Sequence, residues 1–574
     1  MVDPITLAVV QNNLISVANG MQETAFRCAV TPLMYEIRDC AFSLLDADMG
    51  VVAQSHGLIG FLGSLGPATK NCVAIVGREN LKPGDVVIST VPHITGSHSP
   101  DVMLFTPIFY RGELFGYAAT KTHVNDLGAK SYFPTDSMSI YEEGLHIPPI
   151  RIYKAGNLLP EVWEIIKWNS RAPDLVWGDM QAQISGCHFA EKRVKELLDK
   201  YGIETVIACI EEMYNYAERM TRQAIQEMPD GTWTAEDYLD NNGIDLDKPI
   251  LMKVTATIQG SDITMDFTGS APEQIGPMNA TWIGTLSGAR GAIKALTTPE
   301  LPANEGCFRP VKVIAPYGSV YNPSTTAPCF LGFEISSRII DLINKALYQV
   351  LPEKIPACSG GDFCGIGYYG VDPETGKHWM TLVPCVIGQG ADLFSDGENF
   401  LHPHDISSAK NAPTEVLESV FPIIVDKVEF IQDSGGAGKH RGGVGSATHI
   451  RLPAPTTFFS FIEKSKTPHW GLDGGKEGLR NYALVRSKDK GEFEVLKTPG
   501  IKLGEGDSVI ATAGGGGGYG NPLEREPEVI REDVINGYVS VEHAKQDYGV
   551  VIDPRTFDID VEATNRFRRE LLTN

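Results

Sequence analysis

From Thr6 to Arg27 apolar residues recur at helical spacing (Leu7, Val10, Leu14, Val17, Met21), which predicts an amphipathic helix. Beyond it the period shortens to that of strands. Cys40 to Leu45, the turn Asp46-Ala47-Asp48-Met49-Gly50 and Val51 to Gln54 read as a hairpin, and Asp85 to Val91 as a further apolar strand. Val102 to Tyr110 and Leu114 to Thr122 form a second hairpin around Arg111-Gly112-Glu113. Helical spacing returns in Glu191 to Tyr201 and in Val206 to Met228, while Ile250 to Phe267 alternates faces through Met252, Val254, Ala256 and Ile258. Ile335 to Val350 is helical after the turn-rich stretch from Asn304 to Pro328. Phe421 to Gly520 is rich in strands and glycine, and Glu524 to Asn574 is mainly helical. The pattern predicts an α+β protein of mixed, interleaved lobes with substantial antiparallel sheet. It divides into a main region of residues 1–525 and a helical C-terminal tail of residues 526–574.

Composition narrows the class. A chain of 574 residues exceeds one ordinary core. With 49 Lys and Arg against 72 Asp and Glu, the formal charge is -23, which repels phosphate backbones and anionic lipid. Nucleic acid and membrane surfaces are therefore poor partners. Met1 to Gln11 lacks the basic-then-apolar pattern of a secretory leader, and no apolar run approaches the ~20 residues that span a bilayer. The ten cysteines stand singly, without a C-x-x-C pair, and read as reduced thiols. These features predict a cytoplasmic protein.

The sharpest chemical signal is Gly96-Ser97-His98-Ser99-Pro100-Asp101, followed by Lys121-Thr122-His123-Val124-Asn125-Asp126. A divalent metal needs several imidazole or carboxylate donors at one point. If Tyr110 pairs with Leu114 across a three-residue loop, Asp101 lies opposite His123, their Cβ atoms ~5 Å apart. A two-residue loop would shift the register by one and part them. His98 lies one short turn upstream, where the Pro100 kink could bring it in. A lone loop histidine is more often bonded within its loop than to a metal, so the three count only together. Asp39, in Glu36-Ile37-Arg38-Asp39 at a strand start, is a candidate fourth donor whose ordinary role would be a salt bridge or cap. His402-Pro403-His404-Asp405 is the rival cluster, with no matching donors nearby.

Two glycine-rich stretches fail as nucleotide sites. A phosphate loop built on Gly438-Lys439 needs a glycine five residues before Gly438 and a Ser or Thr after Lys439, where the chain has Asp433 and His440. Ala513 to Gly520 matches glycine spacings trivially. Both stretches read as tight turns that let backbones approach closely, and no nucleotide site is identifiable in the chain. No Gly-x-Ser-x-Gly elbow or cysteine nucleophile motif appears. Glu142-Glu143 offers a paired acid that burial could tune as a general base. Arg309, Lys439 and Arg441 could hold an anion, though structural ion pairing is their commoner use.

These segments, in order, include Glu36 to Asp39, His98 to Asp101, His123 to Gly128 and Ser139 to Gly144. Arg171-Ala172-Pro173, Gly178 to Gln183, Asp266 to Ser270 and Asn304 to Pro310 follow, then Asn411 to Glu415, Ser434 to Gly443 and Gly514 to Pro522. In this order and spacing the chain resembles the hydantoinase B/oxoprolinase superfamily over about residues 5 to 525, with family-like features at Gly537 to Ser540 and Tyr548 to Val551. The resemblance implies the second subunit of an ATP-dependent hydrolase that opens a small cyclic amide of the hydantoin, oxoproline or caprolactam kind. It implies a hydantoinase A-like ATPase partner in a hetero-oligomer of α2β2 type, with ATP-Mg held by that partner and spent on phosphorylating the ring carbonyl. It also implies a divalent metal, zinc or manganese, on Asp39, His98, Asp101 and His123. With that ligand set, Glu143 and Asp126 are the candidate proton carriers. Many relatives carry a second histidine where this chain has Val124. Two other readings stay open: a ketone carboxylase subunit, which the shorter length disfavours, and a non-catalytic scaffold, since four protein ligands can make a closed structural site.

Overall fold

The computed structural model describes residues 2–362, 364–406 and 408–573. Its α+β architecture begins with a seven-stranded antiparallel sheet in the order β2-β1-β5-β4-β3-β6-β7. The strands are β1 (Cys40–Asp46), β2 (Val51–Gln54), β3 (Val86–Ser89), β4 (Asp101–Tyr110), β5 (Glu113–His123), β6 (Ile150–Lys154) and β7 (Asn157–Leu158). Both faces of this sheet are covered, which explains its nearly continuous apolar runs. Phe42, Leu44, Ile108 and Ala118 pack under the helices Pro4–Cys28 and Pro173–Tyr201. Ala41, Leu45, Met103, Phe105, Tyr117 and Ala119 face the helix Ile59–Val76. By length and composition Ile59–Val76 could cross a membrane, the one such helix among the described residues. Here Phe61, Leu65, Ala68 and Cys72 turn one face of it into the fold.

The β4–β5 hairpin corrects the expected turn. It holds two residues, Arg111 (φ 49°) and Gly112 (φ 89°), so Tyr110 pairs with Glu113 rather than Leu114. Two positive φ angles in a row match the right-handed twist of a tight hairpin. Left alone, that turn would part Asp101 from His123. A bulge restores the pairing: the ladder passes from Phe109↔Leu114 to Ile108↔Gly116, leaving Phe115 as the extra residue, and then runs unbroken to Asp101↔His123.

A second, four-stranded sheet runs β11-β10-β9-β8, from β8 (Gly231–Leu239), β9 (Ile250–Gln259), β10 (Asp262–Asp266) and β11 (Val311–Ile314), with β10 and β11 parallel. The helix Gly332–Leu347 packs on it and on the helix Trp282–Thr297. A third sheet joins Ile366–Val371, His378–Val383, Thr456–Phe461 and Lys497–Leu503. A fourth joins Ile424–Phe430, Ser446–Arg451, Tyr482–Ser487, Gly491–Val495 and Ser508–Ala513. One large apolar core unites these three sheets with the two helices.

The glycine-rich stretches are packed backbone on backbone, but not as turns. Gly436, Gly442, Gly443 and Gly514 to Gly518 all lie outside the left-handed region. Their amides bond between segments: Gly436 N to Gly516 O at 2.8 Å, Gly516 N to Gly443 O at 3.0 Å, Gly517 N to Cys358 O at 2.8 Å and Gly518 N to Lys476 O at 2.9 Å. A methyl on Gly442 would sit 1.9 Å from the Gly516 carbonyl oxygen. Gly442→Ala is therefore expected to cost more than the ~1–3 kcal/mol of an ordinary overpacked core, because backbone cannot swing aside. Denaturant midpoints would measure this against Gly60→Ala, where a methyl meets nothing within 4 Å. The C-terminal helices Pro527–Ile535, Val541–Tyr548 and Val561–Thr573 dock beside this bundle. Arg525 ties them in by bonding both Asp396 and Asp533.

Candidate metal centre

Three neighbouring strands bring the acidic and imidazole groups into one row. Cys40 pairs with Thr122, so Asp39, just before β1, lies beside His123, and its carbonyl accepts the His123 amide at 3.2 Å. On the other side Asp101 pairs with His123. All three lie on the face covered by Ile59–Val76, since side chains alternate and Ala41, Met103 and Ala119 point that way. His98 arrives from a separate loop. The short helix Pro92–Thr95 ends at Gly96 (φ 91°), where a methyl would sit 2.4 Å from Ile283 Cγ2, so only glycine lets the loop turn there. Buried Lys121 steadies this loop, its Nζ bonding Ser64 Oγ at 2.6 Å and Thr95 O at 2.7 Å, and burial lowers its pKa to about 8.

His98 Nδ1 lies 2.9 Å from the Phe330 carbonyl oxygen, which places the proton of a neutral ring on Nδ1 and leaves Nε2 as a lone pair. That Nε2 is 2.9 Å from His123 Nδ1 and 3.0 Å from Asp101 Oδ1, and the latter two are 2.9 Å apart. With neutral imidazoles, hydrogen bonding cannot satisfy all three sides of this triangle. A carboxylate oxygen and the His98 lone pair face each other with no proton between them. Two imidazole nitrogens and a carboxylate oxygen are an ordinary donor set for a divalent cation, so the residues fit a metal. Among the described residues this is the one group of three such side chains within mutual reach, and Asp39 is not part of that three-way contact. Burial pushes the Asp101 carboxyl up, but His98 and His123 outweigh it and hold the group far below the usual carboxylate range. Burial pushes Asp39 up to about 7 against the pull of His123, with Asp101 adding repulsion, and its Oδ1 is buried without a partner.

The cluster opens into a cavity of about 90 Å³, room for several waters or a compact organic group. Asp39, His98, Asp101 and His123 line it together with an apolar wall that includes Leu58, Phe61, Phe133, Phe333, Leu382 and Phe461. An apolar pocket with a few convergent polar groups is the usual form of a small-molecule site. A family model described as Hydantoinase B/oxoprolinase matches residues 3–522. The chain belongs to the hydantoinase B/oxoprolinase family.

A relative named as the B component of a putative D-/L-hydantoinase, from Pseudomonas sp. (strain NS671), is 33% identical over 99% of this chain and 98% of its own length. The beta chain of caprolactamase from Pseudomonas jessenii is 32% identical over 99% of both chains. The crystal structure of the ATP-dependent caprolactamase from that organism superposes with a TM-score of 0.92 at 29% identity, covering 99% of this chain and 100% of the other. A nucleotide-free acetone carboxylase also superposes with a TM-score of 0.92, covering 100% of this chain and 83% of that one; at 20% identity this is a likeness of fold.

In this member of the hydantoinase B/oxoprolinase family, the two carboxylates expected to carry protons lie outside the cavity lining. Glu143 is fully buried. Its oxygens accept from Ser137 Oγ at 2.7 Å and from the Cys329 and Phe330 amides at 2.9 Å, and burial raises its pKa to about 8 against those bonds. Asp126 is bound by the Arg171 amide and guanidinium and accepts the Gly128 amide at 3.1 Å. Arg309 is tied to Glu218 at 3.0 Å, and buried Arg441 donates to the Gly442 carbonyl at 2.6 Å, so these cations do not assemble an anion site. The rival histidines His402 and His404 line a second cavity with Gln389, Asp392, Asp396 and Glu398. Sequence reading missed the Phe330 carbonyl that orients His98. It also missed Ser97, whose hydroxyl donates to Asp101 Oδ2.

Proposed function

We propose that this chain is the metal-binding subunit of an ATP-dependent hydrolase of cyclic amides, acting with a separate ATPase subunit. The observation that carries the reading is the His98–Asp101–His123 triangle at the end of an otherwise apolar cavity, whose contacts hydrogen bonds leave unsatisfied. The hydantoinase and caprolactamase relatives, each named as one component of a larger enzyme and matched from end to end, support the substrate class and the partner.

A lactam resists water because its resonance is strong and its nitrogen leaves poorly. The reading assigns activation, phosphorylation of the ring carbonyl with ATP, to the partner. His98, Asp101 and His123 would hold a divalent ion, with Asp39 next to them. What such an ion supplies when bound is Lewis acidity, which makes water a usable nucleophile near neutral pH. The Phe330 carbonyl fixes the His98 ring so that Nε2 faces the cluster, and Ser97 fixes the Asp101 carboxylate. Phe133, Phe333 and Phe461 exclude bulk water from the activated ring. Glu143 and Asp126, each saturated by local bonds, act as positioning groups.

The test is co-purification with the ATPase partner and a screen of hydantoin, 5-oxoproline and caprolactam for ATP-dependent opening, with metal analysis. Ring opening by metal-loaded complex alone is the expected result. Bicarbonate-dependent carboxylation of a ketone, with every ring left intact, would overturn the reading.

A further inference from the structure

Outside the metal cluster and Asp39, the cavity holds one more carboxyl group, Asp405. It is delivered by the His402-Pro403-His404-Asp405 segment. The short helical turn His404–Ile406 packs between the helices Ile59–Val76 and Gly332–Leu347, so Asp405 and Ile406 line the metal cavity while His404 lines the second one. Asp405 is 5% exposed; its Oδ2 accepts from Ser337 Oγ, and its Oδ1 has no partner. Leu58, Phe61, Leu382 and Phe461 in the same wall offer nothing that would solvate an anion.

Burial opposes the ionisation of Asp405, and the cations near it, which favour ionisation, are few. Fully buried Arg338 is the cation that acts on it from the Gly332–Leu347 helix, and His404 adds a weaker pull. Arg338 is already shared: it lies 3.6 Å from Asp341, and Glu334, both of whose oxygens are buried without partners, also draws on it. Asp362 and Glu463 add negative charge around Glu334. Lys464 is committed to Asp237 at 2.8 Å, and Lys497 to Glu463. One guanidinium serves Glu334, Asp362 and Asp405 together, and burial raises all three carboxyls above their usual range. Burial holds the Asp405 carboxyl above its usual range, against the Ser337 bond and the Arg338 charge.

We propose that Asp405 is the acid that protonates the ring nitrogen of a cyclic amide bound in this cavity, an inference that rests on the hydrolase reading above. As the C–N bond of the hydrated, phosphorylated ring breaks, its electron pair goes to nitrogen, which takes the proton from the Asp405 carboxyl. The hydroxyl oxygen on that carbon becomes a carbonyl and releases its proton to water. The products are an amine and an acyl phosphate, Asp405 is left as a carboxylate, and no net proton is consumed. Ser337 holds Oδ2 and so fixes the plane of the carboxyl group.

The test compares wild type and Asp405→Asn, each complexed with the ATPase subunit, on a lactam and on a cyclic imide of similar size. An imide nitrogen leaves as a stabilised anion and needs a proton less. Asp405→Asn is expected to lower kcat on the lactam by ~10²–10⁴-fold, the range of general acid catalysis. The loss on the imide should be much smaller, with KM and metal content near wild type. Equal losses on both rings, or a loss confined to KM, would overturn the donor. In the isolated chain, the infrared difference between wild type and Asp405→Asn at neutral pH should contain a carboxylic acid carbonyl band, and its absence would overturn the donor whatever the kinetics. If Asp405→Asn fails to fold, Ser337→Ala removes only the clamp and should lower kcat selectively on the lactam; an equal effect on both rings again counts against the donor. A wild-type complex inert toward every ring would remove the hydrolase and the donor together. An active complex with ring-independent losses would remove the donor alone.

Discussion

His123→Ala is expected to strip the chain of its bound metal and to lower cyclic amide turnover by more than the ~10–100-fold that changes merely adjacent to a metal site cause. His123 has this weight because it is the middle of the row. Its Nδ1 touches both His98 Nε2 and Asp101 Oδ1, and its backbone is bonded to Asp39. Removing it leaves two donors on one side and an isolated acid on the other. Thr122→Val is the control: Thr122 pairs with Cys40 and Val102 on the opposite face of the same strand, and its buried hydroxyl has no partner, so metal content and turnover should persist. Metal analysis of both variants, with turnover measured in the partner complex, decides it. A His123→Ala protein with full metal content and full activity would sink the assignment.

Periodicity read the Pro4–Cys28 helix well, because Val10, Leu14, Val17 and Met21 form a true buried stripe. It passed over Ile59–Val76 and Trp282–Thr297 for a physical reason. Both are buried on several sides and carry glycines where neighbours approach, as at Gly63, whose added methyl would lie 2.3 Å from Ser287 Oγ. A helix without a polar face leaves no amphipathic signal. The first half of Pro173–Tyr201 was hidden in another way. Its buried polar residue Asp179 accepts the Val30 and Thr31 amides, and Gly186 lies against the Met21 carbonyl. Strand β8 conceals its alternation because Asp237 points inward to Lys464 while Tyr238 points out.

The candidate site was legible where it is local and silent where it is not. Asp101 and His123 share a hairpin, so register arithmetic could bring them together, but the loop length assumed was wrong and the bulge at Phe115 made the pairing right. No pattern in the sequence announced that bulge; Gly116 is its trace, since a methyl there would sit 2.2 Å from the Leu45 carbonyl oxygen. Asp39 was legible as a candidate from its place at a strand start and from family resemblance, and the β1–β5 register sets it beside His123. Asp405 reaches the cavity, and the Phe330 carbonyl reaches His98, from far downstream, and no local spacing could have joined either to the cluster.

Glu143→Gln should weaken both the fold and the metal site. Glu143 holds the amide of Phe330, and the carbonyl of the same residue holds His98. Glutamine keeps one acceptor oxygen and puts an NH2 where the second stood, so either Cys329 or Phe330 would present its N–H to a donor. That mismatch should cost ~1–3 kcal/mol, and the loosened Phe330 carbonyl should lower metal affinity ~10–100-fold. The pH dependence separates this from a generic defect. Burial raises Glu143 from 4.5 to about 8, so between those values the folded chain binds a proton that the unfolded chain has released. The resulting stability is complete below pH ~4.5 and is lost as pH rises through about 8, at a limiting slope of ~1.4 kcal/mol per pH unit. Glutamine cannot titrate, so the variant's deficit should be widest near pH 5 and should narrow toward pH 8. Urea midpoints of the metal-free chain across that range test the idea: parallel curves for the two proteins would mean Glu143 stays ionised throughout, and its acceptor bonds rather than its burial would then govern its charge.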